Sequence, residues 1–174
     1  MISDTKVVAI GGGTGLSTML KGLKLHTHNI TAVVTVADDG GSSGILRSDL
    51  GMLAPGDVRN CVSALAEVDP VMGELLNFRF KDGSLKGHSL GNLFLAALNE
   101  TSSSFDEAVK KFSHLTGVVG TVYPVTNESV TLSALLEDGR LIEGESHIGV
   151  HHDGPKNGIV KLMVNPEKPK AVDG

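Results

Sequence analysis

The residues best suited to chemistry in this chain are the glycines of one short run near its amino end. Gly11–Gly15 holds four glycines in five residues and directly follows the apolar segment Lys6–Ile10. Glycines lack the Cβ atom that would hold an anion away from main-chain N–H groups, and a following helix adds unpaired N–H donors and the positive end of its dipole. The pattern therefore predicts a loop that binds a negatively charged group, most simply a phosphate. The residues predicted to bind it are Gly12, Gly13, Thr14 and Gly15.

The glycine run matches neither of two common phosphate-binding motifs. A P-loop ends in Gly-Lys followed by Ser or Thr, whereas here Leu16 and Ser17 follow Gly15, and the next lysine is Lys21. A dinucleotide fingerprint would place its third glycine where Leu16 stands. A glycine-rich turn between a strand and a helix that binds no ligand stays open as the alternative.

Two acidic residues, Asp38 and Asp39, follow the second apolar segment, Ile30–Ala37, and precede a second predicted glycine loop, Gly40–Gly44. Open α/β sheets bind ligands at the edge formed by the carboxyl ends of their strands, so we expect these acids beside the glycine loop. There a carboxylate can accept a ribose hydroxyl, or the pair can hold Mg²⁺, which would offset its repulsion of a phosphate. Alternation predicts that only one of the two faces the cleft. Capping of turns is the alternative for both.

A second group of polar residues begins at Asp57, where Pro55–Asp57 predicts a helix start with Asp57 as its cap. Asn60 lies in the first turn of that helix. Either Arg59 or Arg47 can pair bidentately with a phosphate. A surface ion pair is the alternative for each arginine.

A third group, His88 and Asn92, stands four residues apart at the predicted start of an apolar helix, on which Phe94 is predicted to point inward. This spacing puts both on one face, where they can meet an anion or a ribose. A capping histidine and a buried asparagine bonded to a neighbouring loop are the alternative. Cys61 lies on an apolar stripe and is predicted to be a core residue. The remaining histidines considered lack zinc-type spacing and are predicted to be solvated: His26, His28, His151 and His152.

The element pattern predicts an α/β fold, an open parallel sheet with helices on both faces, followed by a segment rich in β-hairpins. Residues 1–125 form the predicted nucleotide-binding region, and residues 126–174 form its β-rich extension. In that extension Glu137–Gly139 is a hairpin turn signal between two apolar segments. The last residues, Asn165–Gly174, read as a loop that precedes a further element. We therefore expect a truncated chain. Exposed sheet edges in such a chain would favour homo-oligomers or aggregation.

Composition narrows the class of protein. The chain has 174 residues, of which 40% are hydrophobic and 3% aromatic, so its core is aliphatic, as in a parallel sheet covered by helices. The net charge of -5 without a basic cluster argues against nucleic-acid binding. A single cysteine, no signal-peptide pattern and no apolar run of membrane-spanning length predict a cytoplasmic protein.

Four blocks of the sequence are spread over most of the first hundred residues: Ala9–Gly15, Val34–Gly44, Leu53–Cys61 and Gly87–Leu93. Together and in this order, they resemble the gluconeogenesis factor (YvcK-like) family, part of a wider group of CofD-like proteins.

The resemblance implies a Rossmann-like fold in a cytoplasmic bacterial protein needed for growth on gluconeogenic carbon sources and for normal cell shape. It also implies binding of UDP-N-acetylglucosamine and regulation of flux into cell-wall precursors. The CofD branch instead transfers a phospholactyl group from a guanylyl donor to a deazaflavin precursor. The Asp38–Ser43 run and the Gly56–Asn60 block resemble the first branch more closely.

Three functions follow as hypotheses. The first is a regulatory protein that binds a nucleotide diphosphate, either a UDP-sugar or an NAD(P)-like molecule, and acts on a protein partner in cell-wall precursor synthesis. The residues expected to contact its ribose, base or sugar are Asp38 or Asp39, Asn60, His88 and Asn92. The second is a transferase in which Asp57, or a pair including Asp39, binds Mg²⁺ and a diphosphate donor. The third is a scaffold whose loop binds nothing. The sequence shows no evident set of acid–base or nucleophilic residues that would demand catalysis, and this favours the first hypothesis.

Overall fold

The computed structural model of this protein describes residues 3–149 and 157–173, which form two three-stranded sheets and seven helices. The first sheet is parallel, with strand order β1-β2-β3. The second is antiparallel, with order β5-β4-β6. The strands are β1 Val7–Gly11, β2 Ile30–Val34, β3 Thr121–Pro124, β4 Thr131–Leu136, β5 Leu141–Glu143 and β6 Ile159–Asn165. The helices are α1 Gly13–Leu23, α2 Gly41–Leu50, α3 Gly56–Leu65, α4 Pro70–Asn77, α5 Leu90–Glu100, α6 Phe105–Leu115 and α7 Glu145–Gly149.

The core lies between the parallel sheet and its helices. Ala9, Ala32 and Val122 are paired in register across the three strands, and all three are buried. Residues of α3 and α6 pack onto the same core, with Val62 and Phe112 fully buried. The predicted α/β class, a parallel sheet flanked by helices, is confirmed. None of the helices in the described ranges has both the length and the apolar character needed to cross a membrane.

Several predicted elements are confirmed. The apolar stripe of α3 is buried as expected, and Cys61 within it has no exposed surface. Burial, and then the negative charge of Asp57, raises the pKa of the Cys61 thiol to about 12, so this cysteine is a core residue rather than a nucleophile. The predicted hairpin is present as β4 and β5. His26 and His28 are exposed as predicted, whereas His151 and His152 lie outside the described residues.

Local predictions failed where tertiary contacts decide the outcome. The second glycine run is the first turn of α2 rather than a loop, because a Ser-Ser-Gly segment can adopt helix when packing supports it. Asp57 lies inside the first turn of α3 and makes no cap bond there. In α5 the buried face contains Leu95 and Ala96, whereas Phe94, predicted to point inward, is 40% exposed.

Candidate functional site

A polar cavity of about 280 Å³ lies where the amino ends of α2 and α3 meet. The first turns of these two helices supply much of its lining, and Asp38, Arg79 and Asn92 supply the rest of the side chains used below. Each helix start carries main-chain N–H groups without intrahelical partners, together with the positive end of a helix dipole. Two such ends facing one cavity make a site suited to an anion.

Close backbone approach around the cavity depends on glycine. A Cβ atom on Gly91 would lie 2.6 Å from the main-chain oxygen of Leu76 and 2.8 Å from Cδ of Arg59. A Cβ atom on Gly56 would collide with the hydroxyl of Ser43 on α2. These glycines therefore allow α2, α3 and α5 to approach closely enough for their polar side chains to interact.

Arg59 is the buried cation of the site, with only 6% of its surface exposed. Its Nε donates to Oδ1 of Asn92 at 3.2 Å, and its Nη1 donates to Oδ1 of Asn77 at 3.0 Å. Burial, and then the neighbouring charge of Arg79, lowers the pKa of Arg59 to about 10. The guanidinium is therefore still charged at neutral pH. An anion bound in the cavity would offset the cost of burying it.

His88 and Asn92 are brought together through a residue that the sequence did not single out. Nδ2 of Asn92 donates to Oγ of Ser42 at 3.0 Å, and Nδ1 of His88 lies 2.9 Å from the same oxygen. Ser89 is the N-cap of α5, and its hydroxyl accepts the N–H of Asn92 at 3.2 Å. Asn92 lines the cavity directly, whereas His88 lies behind Ser42.

The glycine loop meets the cavity through Asp57. The carboxylate of Asp57 accepts a hydrogen bond from the main-chain N–H of Gly13, and a Cβ atom on Gly12 would lie 2.7 Å from its Oδ2. Burial raises the pKa of Asp57, with Asp38 adding to the rise, while the Gly13 bond and Arg59 oppose it. One amide expected to bind a ligand is therefore already paired internally. Gly12, Gly13, Thr14 and Gly15 lie beside the lining of the cavity rather than within it.

Asp38 and Asp39 have separate surroundings. Asp38 lines the cavity, and its Oδ1 accepts the N–H of Gly40 at 2.9 Å. Asp39 turns toward α7, where its Oδ1 accepts the N–H of Ser146 at 2.8 Å. Burial opposes the ionisation of Asp39, but the bonds from Ser146 outweigh it and lower the pKa. Among the described residues, no group of three or more His, Cys, Asp or Glu side chains is placed to hold a metal ion.

Arg47, predicted as a possible phosphate partner, has a structural role instead. Its Nη1 donates to the main-chain oxygens of Ala37 and Asp38, each at 3.2 Å, and its Nη2 donates to the oxygen of Val130 at 2.8 Å. These bonds hold the segment before α2 against the start of the second sheet. That role could not be read from the sequence, because the acceptors are main-chain atoms brought close only by folding.

Ser42, Ser43 and Arg79 line the cavity with side chains that sequence reasoning missed. Ser42 stood within the predicted second glycine loop, and a serine there has no distinguishing signal. Arg79 follows α4, and its Nη1 donates to the main-chain oxygen of Gly87. Asn60, which was predicted, does line the cavity.

A larger groove of about 710 Å³ runs over the second sheet, between β5 and β6. Its charged side chains, Glu143, Lys161 and Glu167, are mixed in sign. The smaller cavity is therefore the better candidate site, because buried donors from three helices converge there.

The fold and the cavity define an α/β protein with helix starts gathered at one polar site. The chain belongs to the CofD family, because a family model described as 2-phospho-L-lactate transferase CofD matches residues 7–174. A protein of Thermoanaerobacterium thermosulfurigenes is 57% identical over 171 residues, which are 98% of this chain and 53% of that protein. The gluconeogenesis factor of Bacillus subtilis (strain 168) is 46% identical over 175 residues, which are 97% of this chain and 53% of that protein.

A solved structure of a similar protein supports the same family assignment. A crystal structure of a Bacillus halodurans protein of the UPF0052 family superimposes with a TM-score of 0.88 at 43% identity, covering 97% of this chain and 53% of that one. The resemblance to the gluconeogenesis factor family is thus confirmed. The chain spans about half the length of these relatives.

Proposed function

We propose that the cavity binds the diphosphate of a nucleotide sugar, with UDP-N-acetylglucosamine as the expected ligand. The observation that supports this most directly is the buried Arg59, held by Asn92 and Asn77 beside the amino ends of α2 and α3. A guanidinium with a fixed orientation and the N–H groups of two helix starts suit an anion with several oxygens. One of these groups, the N–H of Gly56, already donates to Oγ of Ser43 at 3.2 Å. Arg79 adds a second positive charge at the cavity.

The size of the cavity supports binding of the charged centre of such a ligand. Pockets that enclose whole drug-sized molecules have volumes of roughly 300–1,000 Å³, and this one has about 280 Å³. The diphosphate would fill it, and the base and sugar would extend beyond. Asp38 would then accept hydrogen bonds from hydroxyls of the ligand. The side-chain amides of Asn60 and Asn92 can donate to its phosphate oxygens. If Mg²⁺ accompanies the diphosphate, Asp38 is the better placed ligand, because Asp39 already bonds Ser146.

In this proposal the protein is a cytoplasmic regulator. Relatives named gluconeogenesis factor support a role in the response to gluconeogenic carbon sources. Ligand binding would report the supply of a cell-wall precursor. Through a protein partner, it would regulate flux into cell-wall precursors and thereby cell shape. The glycine loop would not contact the ligand directly in this proposal. Its Gly13 N–H would instead hold the carboxylate of Asp57 at the cavity.

Calorimetric titration of the 174-residue chain with UDP-N-acetylglucosamine, UDP, GDP and NADP, with and without Mg²⁺, tests the proposal. We expect the UDP-sugar to bind most tightly, and we expect Arg59→Gln to weaken binding by about tenfold or more, since hydrogen bonds to charged groups are the stronger ones. Lys6→Gln, which removes a positive charge far from the cavity, should bind like the unaltered chain. A chain that binds none of the four nucleotides would refute the proposal.

A transferase of the CofD type is the second candidate, favoured by the family match and by the carboxyl group of Asp57 at the cavity. Such a reaction would displace a nucleotide from a diphosphate donor, and positive groups around the leaving phosphate would lower the barrier. Incubation with a guanylyl-activated phosphoester and an acceptor alcohol, followed by phosphorus NMR, would detect the released nucleotide. Full turnover by Asp57→Asn would exclude Asp57 from that chemistry.

A further inference from the structure

The buried side chains behind the cavity form one continuous hydrogen-bonded chain. It runs from His88 through Ser42 and Asn92 to Arg59, with the bonds given above. All four residues are more than nine-tenths buried. His88 is the member farthest from the cavity, and the proposed function leaves it without a role.

The direction of each bond in this chain can be worked out from Arg59. A guanidinium only donates, so the atom of Asn92 facing Nε is its oxygen. The amide nitrogen of Asn92 must then face Ser42 and donate to its Oγ. One lone pair of the Ser42 hydroxyl is thereby used, which leaves one lone pair and one hydrogen.

His88 decides where the Ser42 hydrogen points. If Nδ1 of His88 is unprotonated, it accepts that hydrogen, and the hydroxyl is turned away from the cavity. If Nδ1 carries a proton, it donates to the second lone pair of Oγ, so both lone pairs are used. The hydrogen of Ser42 must then point away from both donors, and Ser42 lines the cavity.

We propose that His88 is a positioning residue whose Nδ1–H holds the Ser42 hydroxyl as a donor to the phosphate oxygens of the ligand. The inference rests on the proposed function, because it needs an anion in the cavity. Ser42 is the second residue of α2, so its hydroxyl would join the unpaired main-chain N–H groups of that helix start. A Ser42 hydroxyl that donates needs an acceptor, so the ligand atom that faces Ser42 must be an oxygen without a hydrogen, such as a phosphate oxygen.

Nitrogen NMR of histidine-labelled protein tests the tautomer directly. Two-bond couplings between ring nitrogens and carbon-bound hydrogens show which nitrogen is protonated. In the complex with UDP we expect Nδ1 of His88 to carry a hydrogen. An unprotonated Nδ1 in that complex would overturn the inference, whatever the affinity.

Titration of variants with UDP tests the link between the two residues. Ser42→Ala and His88→Leu should each weaken UDP binding by about tenfold, whereas His88→Asn, whose amide can still donate to Ser42, should retain most of the affinity. Because His88 acts only through Ser42, the double variant should bind no more weakly than Ser42→Ala alone. His26→Asn, at an exposed position, is the control for loss of a histidine.

The outcomes separate the two proposals. If the unaltered chain binds UDP and the effects of Ser42→Ala and His88→Leu simply add, the inference is wrong and the proposed function stands. If the unaltered chain binds none of UDP-N-acetylglucosamine, UDP, GDP and NADP, both proposals fall. Circular dichroism and thermal unfolding of each variant show whether a lost affinity reflects a lost fold, and the NMR experiment on the unaltered protein does not depend on any variant.

Discussion

At the scale of single residues, the site depends on polar side chains that are buried only because each has a partner. Arg59, Asn92 and Ser42 would each cost free energy if left unpaired in the interior. Their bonds require helices that approach to within a few ångströms, and this approach is possible because Gly91 has no side chain. The arrangement of these polar side chains therefore depends on the absence of a Cβ atom at Gly91.

Gly91→Ala tests this dependence. The added Cβ would meet the oxygen of Leu76 and the stem of Arg59, so we expect the free energy of unfolding to fall by about 1–3 kcal/mol. Gly22→Ala is the matched control, because nothing lies within 4 Å of its Cβ position in α1. That change should stabilise the protein slightly, by up to about 1 kcal/mol. Urea denaturation measures both, and equal effects from the two substitutions would contradict the packing argument.

At the scale of elements, side-chain hydrogen bonds fix the start of α6. Ser104 is the N-cap of α6, and its Oγ accepts the N–H of Glu107 at 3.4 Å. Asp106 in the same turn bonds Ser104, Lys110 and Asn127. Burial would raise the pKa of Asp106, but these hydrogen bonds outweigh it and lower the pKa to about 2.

The lowered pKa of Asp106 predicts a pH dependence of stability. Because the folded form binds the proton less readily than the unfolded chain, the stabilisation is present above the unfolded pKa of 3.8 and is lost as the pH falls toward about 2. After allowance for solvent screening, the loss is about 1–2 kcal/mol. Asp106→Asn should abolish this part of the acid dependence. Identical unfolding curves of both proteins between pH 5 and pH 2, as measured by circular dichroism in urea, would contradict the prediction.

Asp39 connects two elements that are far apart in sequence. Helix α7 has five residues and none of them is buried, so it depends on the bond from Ser146 to Asp39. We expect Asp39→Ala to increase amide exchange in residues 145–149 by about tenfold or more, because a hydrogen bond to a charged group is lost. Asp39→Asn retains an acceptor oxygen and should exchange more slowly than Asp39→Ala. Equal exchange in all three proteins would mean that this bond does not hold α7.

At the scale of the whole molecule, both sheets expose apolar side chains at an edge strand. In β1, Val8 is 64% and Ile10 is 77% exposed. In β6, Val160 is 63% and Leu162 is 57% exposed, and among the described residues β6 pairs only with β4. An exposed apolar edge strand favours pairing with another chain.

We therefore expect this chain to associate in a concentration-dependent way, and Leu162→Glu to weaken the association. The side chain is mostly exposed, so the unfolding free energy of the variant should change by no more than about 0.5 kcal/mol. Leu25→Glu is the control, because Leu25 is 71% exposed but lies outside both sheets. Sedimentation velocity over a range of concentrations measures the effect. Unchanged association of Leu162→Glu would exclude the β6 edge as the contact.

The sequence by itself determined the βαβ order, the apolar stripe of α3 and the hairpin of β4 and β5. These features follow from periodicity and turn chemistry, which act between residues close in the chain. Asp38, Asn60, Asn92 and Asp57 could also be named from their types and their places next to predicted helix starts. Their assignment as ligand contacts stays a prediction.

Only the tertiary structure decided which helix starts surround the cavity. The sequence directed attention to the glycine run before α1, yet one of its amides is paired with Asp57, and the cavity lies at α2 and α3. Ser42, His88 and Arg59 come together across separations of 17 to 46 residues, and no local pattern encodes such contacts. The physical reason is that hydrogen bonds and close packing act over a few ångströms in space, whereas sequence patterns report only on neighbours along the chain.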